Sequence, residues 1–238
     1  MIDPEVPAQA SGALPQPGGT VPAPPPPPTG LAVTVIVLGW IWVAWLVVLG
    51  FAGLASQETW RDAVAQGLPY DATDQTAFDL AYMPVRVYLL AVLVVVALWL
   101  HRGRRFAEAY APGYRYRLAL AWTWLGWVVP LLSLWFPVLA VADVLRATSR
   151  RGLGWILVPW WGCWLVMLWF SWTIEGWLGG FLGSDVLGDE ALLVGGGYLL
   201  CAVLAAFSCS AWTVIVVRVR RGQLALATQS ALPPPSMG

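Results

Sequence analysis

The sequence has no lysine, a single histidine, and charged residues at only 11% of its 238 positions. A water-soluble domain carries about 25% charged residues, so this chain lacks the means to cover itself with a solvated surface. Thirteen arginines balance thirteen acidic residues for a formal charge of zero, which leaves no broad basic face and no nucleic-acid partner to expect. Cysteine is scarce too. Cys163, Cys201 and Cys209 all fall inside apolar runs, where they read as small packing residues and not as a disulfide framework. Cys201 and Cys209 are eight residues apart, about 12 Å along one helix, too far for one metal ion to bridge. Any histidine-based triad or metal site would have to be built around His101, and HExxH, GxSxG, a phosphate loop and a dinucleotide glycine fingerprint are all missing. No catalytic, metal or cofactor residue is assigned.

What is abundant is apolar: 59% of the residues are hydrophobic and 17 are tryptophan. Several apolar runs reach about 20 residues, the length that crosses a hydrocarbon core of about 30 Å. The expected class is therefore all-α, a polytopic transmembrane helix bundle. Residues 1–30 hold ten of the 19 prolines. They are expected to be a disordered spacer of polyproline II character with no cleavable leader. Spans are expected at 31–54, 84–101, 157–177 and 191–217, with an acidic loop of about 28 residues after the first. The membrane domain is read as 31–222, and 223–238 as a disordered tail.

Arginine placement orients these spans. If the apolar stretch 118–142 crossed once, the best orientation would leave eight arginines inside and five outside. If it enters and leaves on one face, eleven lie inside and only Arg61 and Arg86 outside. The second arrangement puts both termini in the cytoplasm of a bacterial plasma membrane. Pro130 and Pro137 interrupt that stretch, and each removes a backbone donor and clashes with the preceding turn. The expectation is four full spans plus a Pro-broken re-entrant or interfacial helical hairpin, its exposed backbone shielded by neighbouring helices.

The string AWTWLGWVVPLLSLWFPVLAVADVLRATS carries Trp127, Pro130, Ser133, Leu134, Trp135, Pro137, Asp143 and Arg146. It resembles the core pattern of a largely actinobacterial membrane family, domain of unknown function 4328. The resemblance extends loosely over residues 30–222 and implies architecture and membrane location, with no activity attached.

Candidate sites are few. Asp143 and Arg146 are three apart on a helix and suggest a local pair. Glu175 is a carboxylate near the outer end of a span. Trp161, Trp164 and Trp172 fall near one helical face and could line a site for a lipid tail or flat hydrophobic molecule. Gly197, Cys201, Ala205 and Cys209 repeat every fourth residue, a ridge for helix packing within the chain, in a homo-oligomer or with a partner membrane protein. Arg102, Arg104 and Arg105 suit anionic lipid headgroups of the bilayer. The leading expectation is a structural or accessory interaction protein; a binder or transporter of a lipid or small hydrophobic molecule is the alternative, and an intramembrane enzyme comes third.

Overall fold

The computed structural model describes residues 24–129, 131–149, 154–178 and 187–230. Among them the regular structure is entirely helical: α1 (Thr29–Ala55), α2 (Gln57–Gln66), α3 (Ala77–Tyr82), α4 (Val85–Tyr110), α5 (Trp122–Val128), α6 (Phe136–Thr148), α7 (Leu157–Trp177) and α8 (Val194–Ser230), joined by short 3-10 turns. The stretches Thr29–Ala55, Ala77–Tyr110, Gly154–Gly176 and Asp189–Ser230 are long and apolar enough to cross a membrane. Phe51, Val87, Trp169 and Phe207 point outward from them, strongly exposed, as side chains do when the surrounding solvent is lipid.

The long helices alternate in direction. Along the α1/α8 seam Gly39 faces Cys209, Gly50 faces Leu199 and Gly53 faces Gly195, so one numbering rises as the other falls. Between α1 and α4 the Tyr88 hydroxyl donates to the Leu38 carbonyl, and Trp45 Nε1 of α1 donates to Ala81 O of α3. On α7/α8 the Ser208 hydroxyl donates to Trp160 O at 3.0 Å, and Ser171 lies 4.0 Å from Cys201 Sγ. The α1/α8 seam is tightest where glycine meets glycine. A Cβ on Gly53 would stand 2.8 Å from Gly195 Cα, and one on Gly195 would stand 2.6 Å from Leu54 N. Missing side chains there let two backbones touch.

Between α4 and α7 the chain folds α5 back on α6. An added Cβ on Gly126 would lie 2.9 Å from Phe136 Cβ, and the Trp122 and Phe136 rings meet edge-on at 4.7 Å. The Arg117 N–H donates to Asp143 at 2.8 Å, so the start of this segment and the end of α6 lie together. Gly103 of α4 faces both Val144 and Gln223, while Gly222 abuts Thr148. The ends of α4, α6 and α8, with Arg102, Arg105, Arg146, Arg220 and Arg221, therefore meet at one end of the bundle. Val129 is extended, the conformation a following proline enforces; Pro130 itself lies outside the described residues, as do Arg150 and Arg151. Pro137, expected to break a helix, instead sits in the first turn of α6. There its missing N–H has no intrahelical partner to lose.

The opposite end is closed by α2, α3 and the turns beside them. Trp60 is buried edge-on against Phe78 at 5.6 Å. Thr76 and Asp79 cap α3 reciprocally, and the Leu187 N–H donates to Leu68 O at 3.0 Å.

Several boundaries move relative to the sequence reading. α4 runs on to Tyr110, so the basic stretch after His101 is helical. α8 continues to Ser230, so residues 223–230 are not a separate tail. Gln223 is fully buried against Gly103, and that packing carries the helix past the arginines. Residues 1–23 and 231–238, where the disordered ends were expected, lie outside the described residues.

Candidate functional site: a tryptophan-walled cavity

Five helices surround a cavity of about 250 Å³ in the half of the bundle nearer the arginines. Its walls carry Trp42 from α1, Trp127 from α5, Trp160, Trp161 and Trp164 from α7, and Trp212 from α8, with Leu89, Val92, Leu93 and Val96 of α4 completing the circle. Gly39 and Ala205, both small, face the space they leave open. The rings brace each other. Trp160 stacks on Trp212 at 4.9 Å, Trp99 meets Trp212 edge-on at 5.2 Å, and Trp127 meets Trp161 edge-on at 6.5 Å. Trp161 Nε1 also donates to Leu134 O at 2.7 Å. That bond pins the α5–α6 turn to α7.

The chemistry of this space is simple. No charged residue lines it, and the Ser208 hydroxyl is already engaged with Trp160 O. An apolar void of about 150 Å³ stays dry and accepts a benzene-sized guest; this one is larger and more aromatic. The indole N–H groups of Trp42, Trp60, Trp99 and Trp127 are buried without an acceptor. Three of those rings, Trp60, Trp99 and Trp127, sit in edge-to-face pairs, an arrangement compatible with N–H to π-face contact.

A second constellation lies at the arginine-rich end. Arg104 is buried: its Nε donates to Glu108 at 2.7 Å, its Nη1 to Leu118 O at 3.1 Å, and its Cζ lies 3.3 Å from the centre of the Tyr116 ring. Burial pushes the Tyr116 phenol up to about 12. Asp143 is fully buried and accepts from Arg117 N–H and, at 3.5 Å, from the Tyr114 hydroxyl. Burial, then the Asp143 charge, raises the Tyr114 pKa. These bonds fasten residues 114–118, which lead into α5, to α4 and α6.

The residues named from sequence scatter over these features. Trp161 and Trp164 stand in the cavity wall, whereas Trp172 is exposed outside it. The α5–α6 pair covers the Trp161 face of α7 only along the half nearer the arginine-rich end, so the same face looks outward about three turns on, at Trp172. Trp42 and Trp212 were not singled out, because their role depends on which helices come together. In the broken-helix signature, Trp127 is in the wall, Ser133 lies in the 3-10 turn Leu132–Leu134, and Trp135 is exposed. The expected Asp143–Arg146 pair does not form: among the described residues the one ion pair within 4.0 Å is Arg104–Glu108. Asp143 is fully buried, whereas Arg146 is exposed and lies near Tyr114.

On the small-residue ridge, Cys201 is buried between helices and Gly197 is half-buried, while Ala205 and Cys209 line the cavity. The backbone-to-backbone contact of α8 with α1 sits two residues before that ridge, at Gly195. Arg102 and Arg105 are exposed, but Arg104 is turned inward and fully engaged, which removes it from a headgroup site. Glu175 accepts from the Tyr82 hydroxyl. His101 lies 3.3 Å from the Thr123 hydroxyl and beside Trp124. Among the described residues no group of three or more His, Cys, Asp or Glu gathers at one point.

Four apolar helices of spanning length, packed in alternating directions around an apolar void, define a multi-pass helical membrane protein. The chain matches the family described as Domain of unknown function (DUF4328) over residues 69–222, and it belongs to that family. The match runs from the turn before α3 to the point where α8 meets the end of α6, and so leaves α1 and α2 outside it. No curated protein and no solved structure matches the chain.

Proposed function

We propose that this protein lies in a bacterial plasma membrane with both termini in the cytoplasm and binds a hydrophobic guest in its tryptophan-walled cavity. The cavity itself carries the reading. The walls of this partly open space of about 250 Å³ forfeit packing contacts when nothing fills it. A guest that fills it restores those contacts and gains from burying apolar surface at about 25 cal/mol per Å². A purely structural bundle gives no reason to hold six indole rings around a space.

Naphthalene is a suitable probe. In detergent it is expected to raise the melting temperature of the wild-type protein. Ala205→Phe puts a ring into the void, so the variant should melt no lower than wild type and lose the naphthalene response. No shift in the wild-type protein would sink the cavity reading. A helix-packing role for Ala205 would show instead as a destabilised variant.

The α5–α6 segment is proposed to be a re-entrant hairpin. Its tip exposes Val128, Leu131 and Trp135, which is compatible with lipid and costly in water. The meeting of α4, α6 and α8 at the arginine-rich end supports the same topology. Single cysteines replacing Ala109 and Arg146, in a background without the three native ones, should resist a membrane-impermeant thiol reagent in intact cells and react after lysis. A cysteine at Gln75 on the opposite end should react at once. If only one of the inner pair were labelled from outside, the segment would cross the membrane and the hairpin would be wrong.

A further inference from the structure

We infer that the cavity is loaded sideways from the bilayer through a window between α4 and α7, and that its occupant is the acyl chain of a membrane lipid. This rests on the cavity reading above and adds the route and the chemical class. The cavity is partly open, and buried clusters stand toward both ends of the bundle. Toward the outer end stands a packed layer that includes Trp60, Phe78, Ile174 and Tyr198. Toward the arginine-rich end lie Val141, Leu145, Leu157 and Val216.

The sides differ from one another. α8 runs along both α1 and α7 in long contacts, and α1 also packs on α4, but α4 and α7 make no comparable seam. Instead they face each other across the cavity, with Leu89, Val92 and Leu93 on one side and Trp161 and Trp164 on the other. The gap has a sill and a lintel. The sill is the α5–α6 turn, where Trp127 packs on Trp161 and Trp161 Nε1 reaches Leu134 O. The lintel is the hydrogen bond from the Tyr82 hydroxyl to Glu175. Between them α7 presents exposed Val166, Trp169 and Trp172 beside the gap, so whatever enters comes out of hydrocarbon.

That position selects the guest. The wall offers no charge and its one hydroxyl is engaged, so a headgroup cannot enter without losing its hydration uncompensated. A flexible apolar chain can enter while its polar end stays at the interface, in the way amphipathic groups keep their heads in water. The bilayer supplies such chains at high local concentration.

The test uses the full chain in phosphatidylcholine vesicles containing a fraction of lipid with a photoactivatable diazirine at the end of one acyl chain. After irradiation, labelled positions are mapped by mass spectrometry. Label is expected on the wall at Trp164 and Ser208, and also on lipid-facing Trp169 and Phe207. Ala205→Phe should lose the wall label and keep the lipid-facing label, which serves as the internal control. If wild-type protein responds to naphthalene but carries no wall label, the acyl-chain inference falls and the cavity stands. If neither occurs, both fall. Wall labelling by a small water-soluble diazirine carboxylate, in place of the lipid probe, would overturn the sideways route.

Discussion

Gly195→Leu is expected to abolish the folded bundle in detergent, while Gly196→Leu, one position further on, leaves it intact. The two glycines share a helix turn and a composition, so propensity treats them alike, and leucine is the better helix former at both. Their surroundings are opposite. A Cβ on Gly196 meets nothing within 4 Å, whereas one on Gly195 would stand 2.6 Å from Leu54 N and 2.9 Å from Gly50 O. Those neighbours are main chain, so relief requires α1 and α8 to separate. Overpacking that side chains can absorb costs about 1–3 kcal/mol. Here the whole seam from Gly39 to Gly53 must shift, against a total stability of about 5–15 kcal/mol for an ordinary domain. Melting temperature and elution as a single species report the outcome. Equal melting of the two variants would mean that the α1/α8 contact does not hold the bundle together.

Much of the architecture is legible in the sequence. Run length marked the spanning helices, because crossing hydrocarbon requires a fixed number of apolar residues with every backbone bond made internally. Arginine position suggested one side for the ends of α4, α6 and α8, and Gly103 against Val144 and Gly222 against Thr148 bring those helices together. Proline was read in part. Val129 is extended before Pro130, but Pro137 opens a helix rather than breaking one, because a proline's effect depends on whether the turn before it is already helical.

What could not be read is who covers a given face. Trp161 and Trp172 point in nearly the same direction around α7, yet only the first is enclosed, because the α5–α6 pair is too short to reach the second. Trp42 and Trp212 belong to the site only through the α1/α8 crossing. Ala205 looked like part of a packing ridge and instead faces a void. Arg104 and Asp143 were placed at the interface by sequence position, and both are buried by a loop whose path no local pattern encodes.

Asp143→Ala is expected to release that loop. In the wild-type protein the buried carboxylate accepts from the Arg117 N–H at 2.8 Å and from the Tyr114 hydroxyl at 3.5 Å. Both donors would be left without an acceptor, and a hydrogen bond to a charged group contributes about 1.5–3 kcal/mol. Arg115 and Arg117 have exposed side chains, so opening of this segment can be read as tryptic cleavage after either. A loss of that size corresponds to about a ten- to hundredfold rise in cleavage rate where opening is fast and reversible. Asp143→Asn keeps an acceptor oxygen and should fall between Ala and wild type. Arg146→Ala separates two explanations. If Asp143 served chiefly to pair with Arg146 one turn away, removing either partner would have the same effect. Asp143 is buried and Arg146 exposed, near Tyr114 but with no ion pair to Asp143, so Arg146→Ala should cleave at a rate closer to wild type than Asp143→Ala does. Matching rates for Asp143→Ala and Arg146→Ala would restore the local pair and remove the latch.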